Sequence, residues 1–196
     1  MATKKTKTAT STSETISCPF TILIDSAEQH PFTFERIRSD ANHNHRLMAV
    51  STRWFCLGRH PNQYGDYSVD GFVRRVQVER KSIEDCQNTV LGFDGTRDRF
   101  ENELLNLSRI EAPLVVVEGT AWDVLNQENS RRTREHKVVA KQLHRSFIAL
   151  MQDYHVPWWF AKSRREAEIT TFRWFERFWR KQTEHSRRLQ AMLSKL

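Results

Sequence analysis

The sequence predicts an α/β protein: a three-layer α/β/α sandwich around a mixed central sheet. Three observations lead there. Short runs of β-branched and aromatic residues, such as Phe20–Ile24 and Leu114–Val117, lie between polar or turn residues and read as strands. Longer segments carry apolar residues at helical spacing, as in Val139, Leu143, Phe147, Leu150 and Tyr154. Strands come first, followed by helix, strand, helix, strand and helix, which is the order of layers packed on a mixed sheet.

Along the chain, Met1–Ser17 is Thr-, Ser-, Lys- and Ala-rich without apolar periodicity and reads as a disordered tail. Residues 18–162 hold the folded domain, and 163–196 form a basic, aromatic-rich C-terminal helix packed on the domain or at a dimer interface. The first strand, Phe20–Ile24, ends at Asp25. Trp54–Leu57 closes a second strand at Gly58. Tyr64–Val69 enters a hairpin turning at Asp70-Gly71, and Phe72–Arg80 returns as a strand. Ser82 is placed to cap a helix running to Val90, and Phe100, Leu104 and Leu107 mark the next helix. Pro113–Gly119 is a strand apolar enough to be buried on both faces. Ala121–Leu125 makes a single helical turn, and Glu128–Arg134 a polar, basic loop. A long amphipathic helix starts at Glu135. Val156–Ala161 is a strand whose proline favours an edge or the strand's start. Ser163 and Glu166 form a capping box opening the last helix.

The chain has 196 residues, enough for one domain with a proper core. Lys and Arg number 31 against 24 Asp and Glu, for a net charge of +7, which favours a polyanionic partner. Cys18, Cys56 and Cys86 form no CxxC pair, so neither a zinc knuckle nor a disulfide framework is indicated. This fits a reducing compartment: cytoplasmic or nucleoid-associated, or nuclear in a eukaryote. No secretory signal follows the N-terminal lysines, and no run reaches the about 18 apolar residues of a membrane span.

The acids at strand ends carry the chemistry. Glu79 lies on the returning hairpin strand with Lys81 two residues on, so the two share a face. Asp66 stands at the entry of the same hairpin, and Asp25, with Glu28 beyond it, ends the first strand. Carboxylates that hold Mg²⁺ or Mn²⁺ beside a lysine are what metal-assisted phosphodiester cleavage requires. A single acid at a strand end is ordinarily a solvated turn residue. The spacing Gly65-Asp66, Glu79-Arg80-Lys81, Asp85 is what makes the pattern specific.

The run Val78-Glu79-Arg80-Lys81-Ser82-Ile83-Glu84-Asp85 resembles the ERKxxxD signature of the XPF nuclease family, which includes eukaryotic excision-repair and crossover nucleases and archaeal relatives. Gly65-Asp66-Tyr67 resembles its GDY element, and Ile24-Asp25 with Glu28 its DxRE element. Asp94-Gly95 with Arg99-Phe100, and Leu114–Glu118, match its next helix entry and strand. The resemblance covers Phe20 to Ala161. It implies a restriction-endonuclease-like core in which Asp66 and Glu79 hold Mg²⁺ or Mn²⁺ with the Arg80 carbonyl, Asp25 completes the metal cluster, and Lys81 is the catalytic lysine. It also implies that Glu28 and Asp85 support the metal or water positions, and that the Arg80 side chain organises the acids or contacts phosphate. The expected activity is endonucleolytic cleavage of branched or flapped DNA in repair or recombination. The alternatives are a non-catalytic DNA-binding scaffold subunit and a nuclease of ordinary duplex DNA.

The sequence departs from the family at position 27, an alanine where arginine is usual, with Gln29, Arg36 and Arg53 as candidate replacements. The stretch from Glu28 to Asp66 is long and reads as ordinary surface loops around Asn42–His45 and Arg59–Asn62, with substrate loops as the alternative. Beyond Ala161 there is room for one helix and no Gly-centred hairpin. DNA must then be gripped by the domain itself, by a homodimer or by a partner protein. Candidate phosphate contacts are Arg99, Arg131, Arg132, Arg134, Arg164 and Arg165. Phe172, Trp174, Phe175, Phe178 and Trp179 spread over a wide arc of the last helix, as a dimer contact would.

Overall fold

The structure is a computed structural model that describes residues 15–40, 44–57, 65–92, 95–126 and 134–194. A six-stranded sheet forms from β1 (Ile16–Asp25), β2 (Met48–Phe55), β3 (Tyr67–Val69), β4 (Val76–Lys81), β5 (Ala112–Val117) and β6 (Trp158–Phe160). The order is β2-β1-β3-β4-β5-β6, with β3 antiparallel to both neighbours and all other pairs parallel. The sheet is mixed, and helices cover both faces, as the sequence predicts. Alternation along β5 defines the two layers. Leu114 and Val116 pack with Phe172, Phe175 and Phe178 of α5 (Arg164–Leu193). Val115 and Val117 pack with α1 (Ile83–Leu91), α2 (Thr96–Leu107), α3 (Ala121–Asn126) and α4 (Arg134–Tyr154).

Local signals place most elements. Ser82 caps α1 by accepting from the Asp85 amide, and Gly92 ends it at φ 81°, a left-handed conformation that glycine adopts without strain. Ser163 caps α5 by accepting from the Glu166 amide, while the Glu166 carboxylate accepts from the Lys162 amide, one residue before the cap. Pro157 immediately precedes β6, an edge strand, where a missing amide costs no ladder bond.

Four differences from the sequence reading have physical causes. β1 begins at Ile16, inside the expected tail, because Ile16 and Ser17 pair with Met48 and Ala49; a register irregularity between Ser17 and Thr21 accommodates Pro19. β2 starts at Met48 rather than near Trp54; as an edge strand with Ser51–Trp54 exposed, it lacks the apolar pattern that announces a buried strand. The hairpin is not closed at Asp70-Gly71. Phe72–Arg75 makes a further turn, with the Arg75 and Val76 amides donating to the Phe72 carbonyl, and the Phe72 ring packs edge-on against Phe178 and Trp179. Finally, the aromatic arc of α5 is taken up within the chain: Phe172, Phe175 and Phe178 are buried, and Trp174 and Trp179 pack against the same core. It therefore gives no argument for a dimer contact. Phe175→Ala should lower unfolding free energy by about 3–5 kcal/mol, read from denaturant midpoints at constant slope.

The stretch after Glu28 is also more than a surface loop. Phe32, Phe34 and Ile37 are buried, and residues 30–40 are laced to α5. Arg164 donates to the His30 and Pro31 carbonyls, Arg165 to that of Arg36, and Arg173 to that of Arg38. Glu168 accepts from the Phe34 amide, and Asp40 pairs with Arg173 and Arg180. The lacing holds Phe34 and Arg36 at φ 55° and 52°, a region non-glycine residues rarely occupy. Asn42, His43 and Arg59–Asn62 lie outside the described residues, as do Gly58, Tyr64 and Asp94.

Candidate active site

The site forms where β4 emerges from the sheet. Strand alternation sends Glu79 and Lys81 toward α1 and α2, and Arg80 toward α5. Lys81 Nζ sits 2.9 Å from Glu79 Oε1 and 3.4 Å from Asp85 Oδ2, with the Phe100 ring centroid 4.6 Å away. The shared face expected of Glu79 and Lys81 is thus present as a buried ion pair, with side-chain exposures of 7% and 8%. Asp66 enters from the adjacent strand. Tyr67 pairs with Val78, and one step further on Asp66 Oδ2 accepts the Arg80 amide at 2.7 Å. Gly65 suits this approach: a Cβ there would stand 3.0 Å from the Val78 carbonyl oxygen and 3.1 Å from the Gln77 Cβ, closer than side chains ordinarily pack.

Burial pushes the Asp66 carboxyl well above the ordinary carboxylate range, and the charge of Glu79 pushes it further. Burial also raises Glu79, although Lys81 beside it pulls the other way. For Lys81, burial disfavours the ammonium, but the charges of Glu79 and Asp85 outweigh it and the pKa rises. Lys81 is therefore held as an ammonium that donates to Glu79.

On the other side of the sheet, Glu28 grips Arg80 through two parallel bonds of 3.0 Å, and Arg80 Nη1 reaches Glu118 Oε1, also at 3.0 Å. Burial raises Glu28, but the bonds from Arg80 and the His30 amide bring it below its usual value, with the charge of Arg164 adding to the effect. Asp25 is built in differently: its amide donates to the Asp66 carbonyl and its Oδ1 accepts from the Leu57 amide.

Several arginines singled out in the sequence have other partners. Arg53 pairs with Asp70. The arginine that joins Arg80 beside Glu118 and Glu28 is Arg164, whose guanidinium contacts Glu118 and the 30–31 backbone. Arg165 is engaged with Glu168 and the Arg36 carbonyl. Arg99 is exposed, 3.8 Å from Glu103. Arg131, Arg132 and the side chain of Arg134 lie outside the described residues.

Two acids escaped the sequence reading. Glu118, just past β5, is the second clamp on Arg80. Glu103 of α2 senses the charges of Glu79, Lys81 and Asp85, and burial together with Glu79 raises its pKa to about 7. Its signal in the sequence was slight: an acid three residues after Phe100, on the face the apolar stripe marks as inward.

Asp66 and Glu79 suit a divalent cation. They are hard oxygen donors, and a cation would relieve the burial and repulsion that raise Asp66. Among the described residues no set of three His, Cys, Asp or Glu side chains forms a cage. Water or a backbone carbonyl would have to complete the shell, as Mg²⁺ commonly accepts.

Known proteins resemble the chain in sequence and in fold. A family model described as the ERCC4 domain matches residues 33–173. Over 104 residues the chain is 31% identical to a Methanocaldococcus jannaschii protein named as an ATP-dependent RNA helicase. That stretch is 53% of this chain but spans only 11% of the relative's length. XPF from Aeropyrum pernix superposes with a TM-score of 0.52 at 16% identity, covering 89% of this chain and 72% of that one. The same protein in complex with DNA gives 0.54 at 18%, covering 83% and 66%. At these identities the superpositions speak to the fold. No helix among the described residues is long and apolar enough to cross a membrane.

Proposed function

The chain belongs to the ERCC4 domain family, and from that premise we propose that it is a metal-dependent endonuclease that hydrolyses DNA phosphodiester bonds, preferring branched or flapped substrates. The family supports a nuclease-type function on DNA, and the neighbour solved with DNA shows that fold in company with nucleic acid. The observation that carries the reading is the buried Glu79–Lys81 pair beside an Asp66 anchored on the Arg80 amide. An apolar pair would be the cheaper way to fill that space, since a buried ion pair adds little net stability.

Asp66 and Glu79 would hold Mg²⁺ or Mn²⁺, with Asp25 behind them on the next strand end. When bound, the ion supplies charge that polarises a phosphate oxygen and lowers the pKa of water. Lys81, held cationic by Glu79 and Asp85, donates hydrogen bonds to the attacking water or to the phosphoryl oxygen on which charge builds. Arg80, clamped by Glu28 and Glu118, fixes the β4 backbone whose amide orients Asp66. Asp85 holds the ammonium from the side of α1.

The reading is tested with labelled flap, fork, junction and linear duplexes in Mg²⁺, Mn²⁺ or excess chelator. Cleavage should require the ion and run fastest on a branched substrate. Equal rates on linear DNA would assign the activity to ordinary duplex. DNA binding without cleavage in either metal would identify a non-catalytic subunit.

A further inference from the structure

Arg164 stands where a helix does not favour it. It is the first residue of α5, directly after the Ser163 cap, and a cation there opposes the positive end of the helix dipole. A residue kept against its local preference points to a role elsewhere. Its guanidinium makes two sets of contacts. Nη1 meets Glu118 Oε1, the same oxygen that accepts from Arg80 Nη1 at 3.0 Å. Nη2 donates to the carbonyls of His30 and Pro31, the latter at 2.9 Å. Pro31 lies three residues after Glu28, which grips Arg80. The contacts therefore close a ring: Glu28, Arg80, Glu118, Arg164 and back through the backbone to Glu28. Inside it sits the Phe32 ring, 5.0 Å from the Arg164 guanidinium and 6.0 Å from that of Arg80, stacked at 5.1 Å on Tyr67, the residue next to Asp66.

We infer that Arg164 is a positioning residue of the active site: it fixes Glu118 and the backbone that carries Glu28, and through their grip on Arg80 it sets the amide that orients Asp66. This rests on the nuclease reading of the same site. Two carboxylates and two guanidiniums balance in the ring. Without Arg164 the ring carries one excess negative charge and loses its tie to α5, and the two carboxylates that grip Arg80 both stand on a loosened support. The role differs from that of a phosphate contact, because the donors facing Glu118 and the 30–31 carbonyls are already engaged.

The test is Arg164→Gln in the full chain. Cleavage kcat should fall about 10- to 100-fold, the size typical of residues that support ligands from behind. Mn²⁺ affinity, measured by calorimetry without DNA, should fall by a similar factor. KM for DNA and the salt dependence of DNA binding should stay as in wild type. A phosphate contact would do the reverse, reducing the salt slope by about one and leaving Mn²⁺ affinity intact; that result overturns the inference, as does a variant unchanged in every measurement. If Arg164→Gln fails to fold, Arg164→Lys serves, since it keeps the charge while a single ammonium cannot hold Glu118 and both the His30 and Pro31 carbonyls. It should lower Mn²⁺ affinity likewise, and an unchanged affinity overturns the inference. A wild-type protein that binds Mn²⁺ but cuts no DNA would refute the nuclease reading, and the Mn²⁺ comparison would still decide the role of Arg164.

Discussion

Lys81→Ala is expected to reduce cleavage by about 10³-fold, the upper size for loss of one donor aimed at developing charge in an enclosed site. The loss should fall on kcat. Lys81 is buried between Glu79, Asp85 and the Phe100 ring, so in the proposed reaction it would meet DNA only at the reacting phosphate. The same change removes the counter-charge of Glu79, and breaking a buried pair from one side ordinarily costs 3–5 kcal/mol, so about 3 kcal/mol is expected here. The lower end applies because Glu79 has a raised pKa and can take up a proton in place of the lost ammonium. If Glu79 also faces a divalent ion, saturating Mn²⁺ should restore part of the lost Tm while leaving cleavage impaired. Wild-type cleavage rates in the alanine variant would remove Lys81 from the reaction. A Tm loss that Mn²⁺ does not touch would remove Glu79 from the ion.

Asp66→Asn should have the opposite effect on stability and as large an effect on activity. The amide oxygen can still accept from the Arg80 amide, so the local fold is kept. What disappears is a charge that the site disfavours. Because burial and Glu79 raise the folded-state pKa of Asp66 above its unfolded value, the folded protein holds the Asp66 proton more tightly. The stability this contributes is fully present below the unfolded pKa, about 3.9, and is lost as pH rises through the folded pKa. Wild type and variant should therefore be alike in acid and diverge with rising pH. At pH 8 without metal the variant should be more stable by about 1–2 kcal/mol, the size ordinarily attached to one ill-matched buried polar group. Mg²⁺ or Mn²⁺ should raise the Tm of wild type, more at pH 8 than at pH 5, because the ion competes with the proton. The variant should show little of that response. Its cleavage should fall about 10³-fold, equivalent to the several kcal/mol of charge stabilisation an ion supplies. A variant less stable than wild type at pH 8, or one that keeps its metal response, would show that Asp66 is a structural acid.

Much of this protein could be read before any coordinates. The apolar run Leu114–Val117 dictates a strand buried on both faces, because a segment without a polar side has nowhere to present to water. The two-residue period of a strand places Glu79 with Lys81 and sends Arg80 the other way, whatever the strand packs against. Ser82 and Ser163 set helix starts through bonds to residues only three positions away. These are short-range rules, so the local sequence suffices for them.

What the sequence could not disclose depends on residues far apart along the chain. In the sequence Glu118 reads as the end of a strand and Arg164 as a candidate phosphate contact, and only the parallel pairing of β4 with β5 and the packing of α5 bring them to Arg80. The segment 30–40 reads as a loop because its backbone is satisfied by arginines 129 to 135 residues away, and no local pattern encodes such partners. The aromatic arc of α5 is equally consistent with a core and with a subunit interface until the sheet it covers is placed. The sequence by itself determined the layers of the fold and the face of β4 that carries Glu79 and Lys81, because periodicity and caps act within a few residues. Only the tertiary structure decided which acids clamp Arg80, what holds Asp66, and which arginines are taken up within the chain, because those depend on a balance of charge between distant elements.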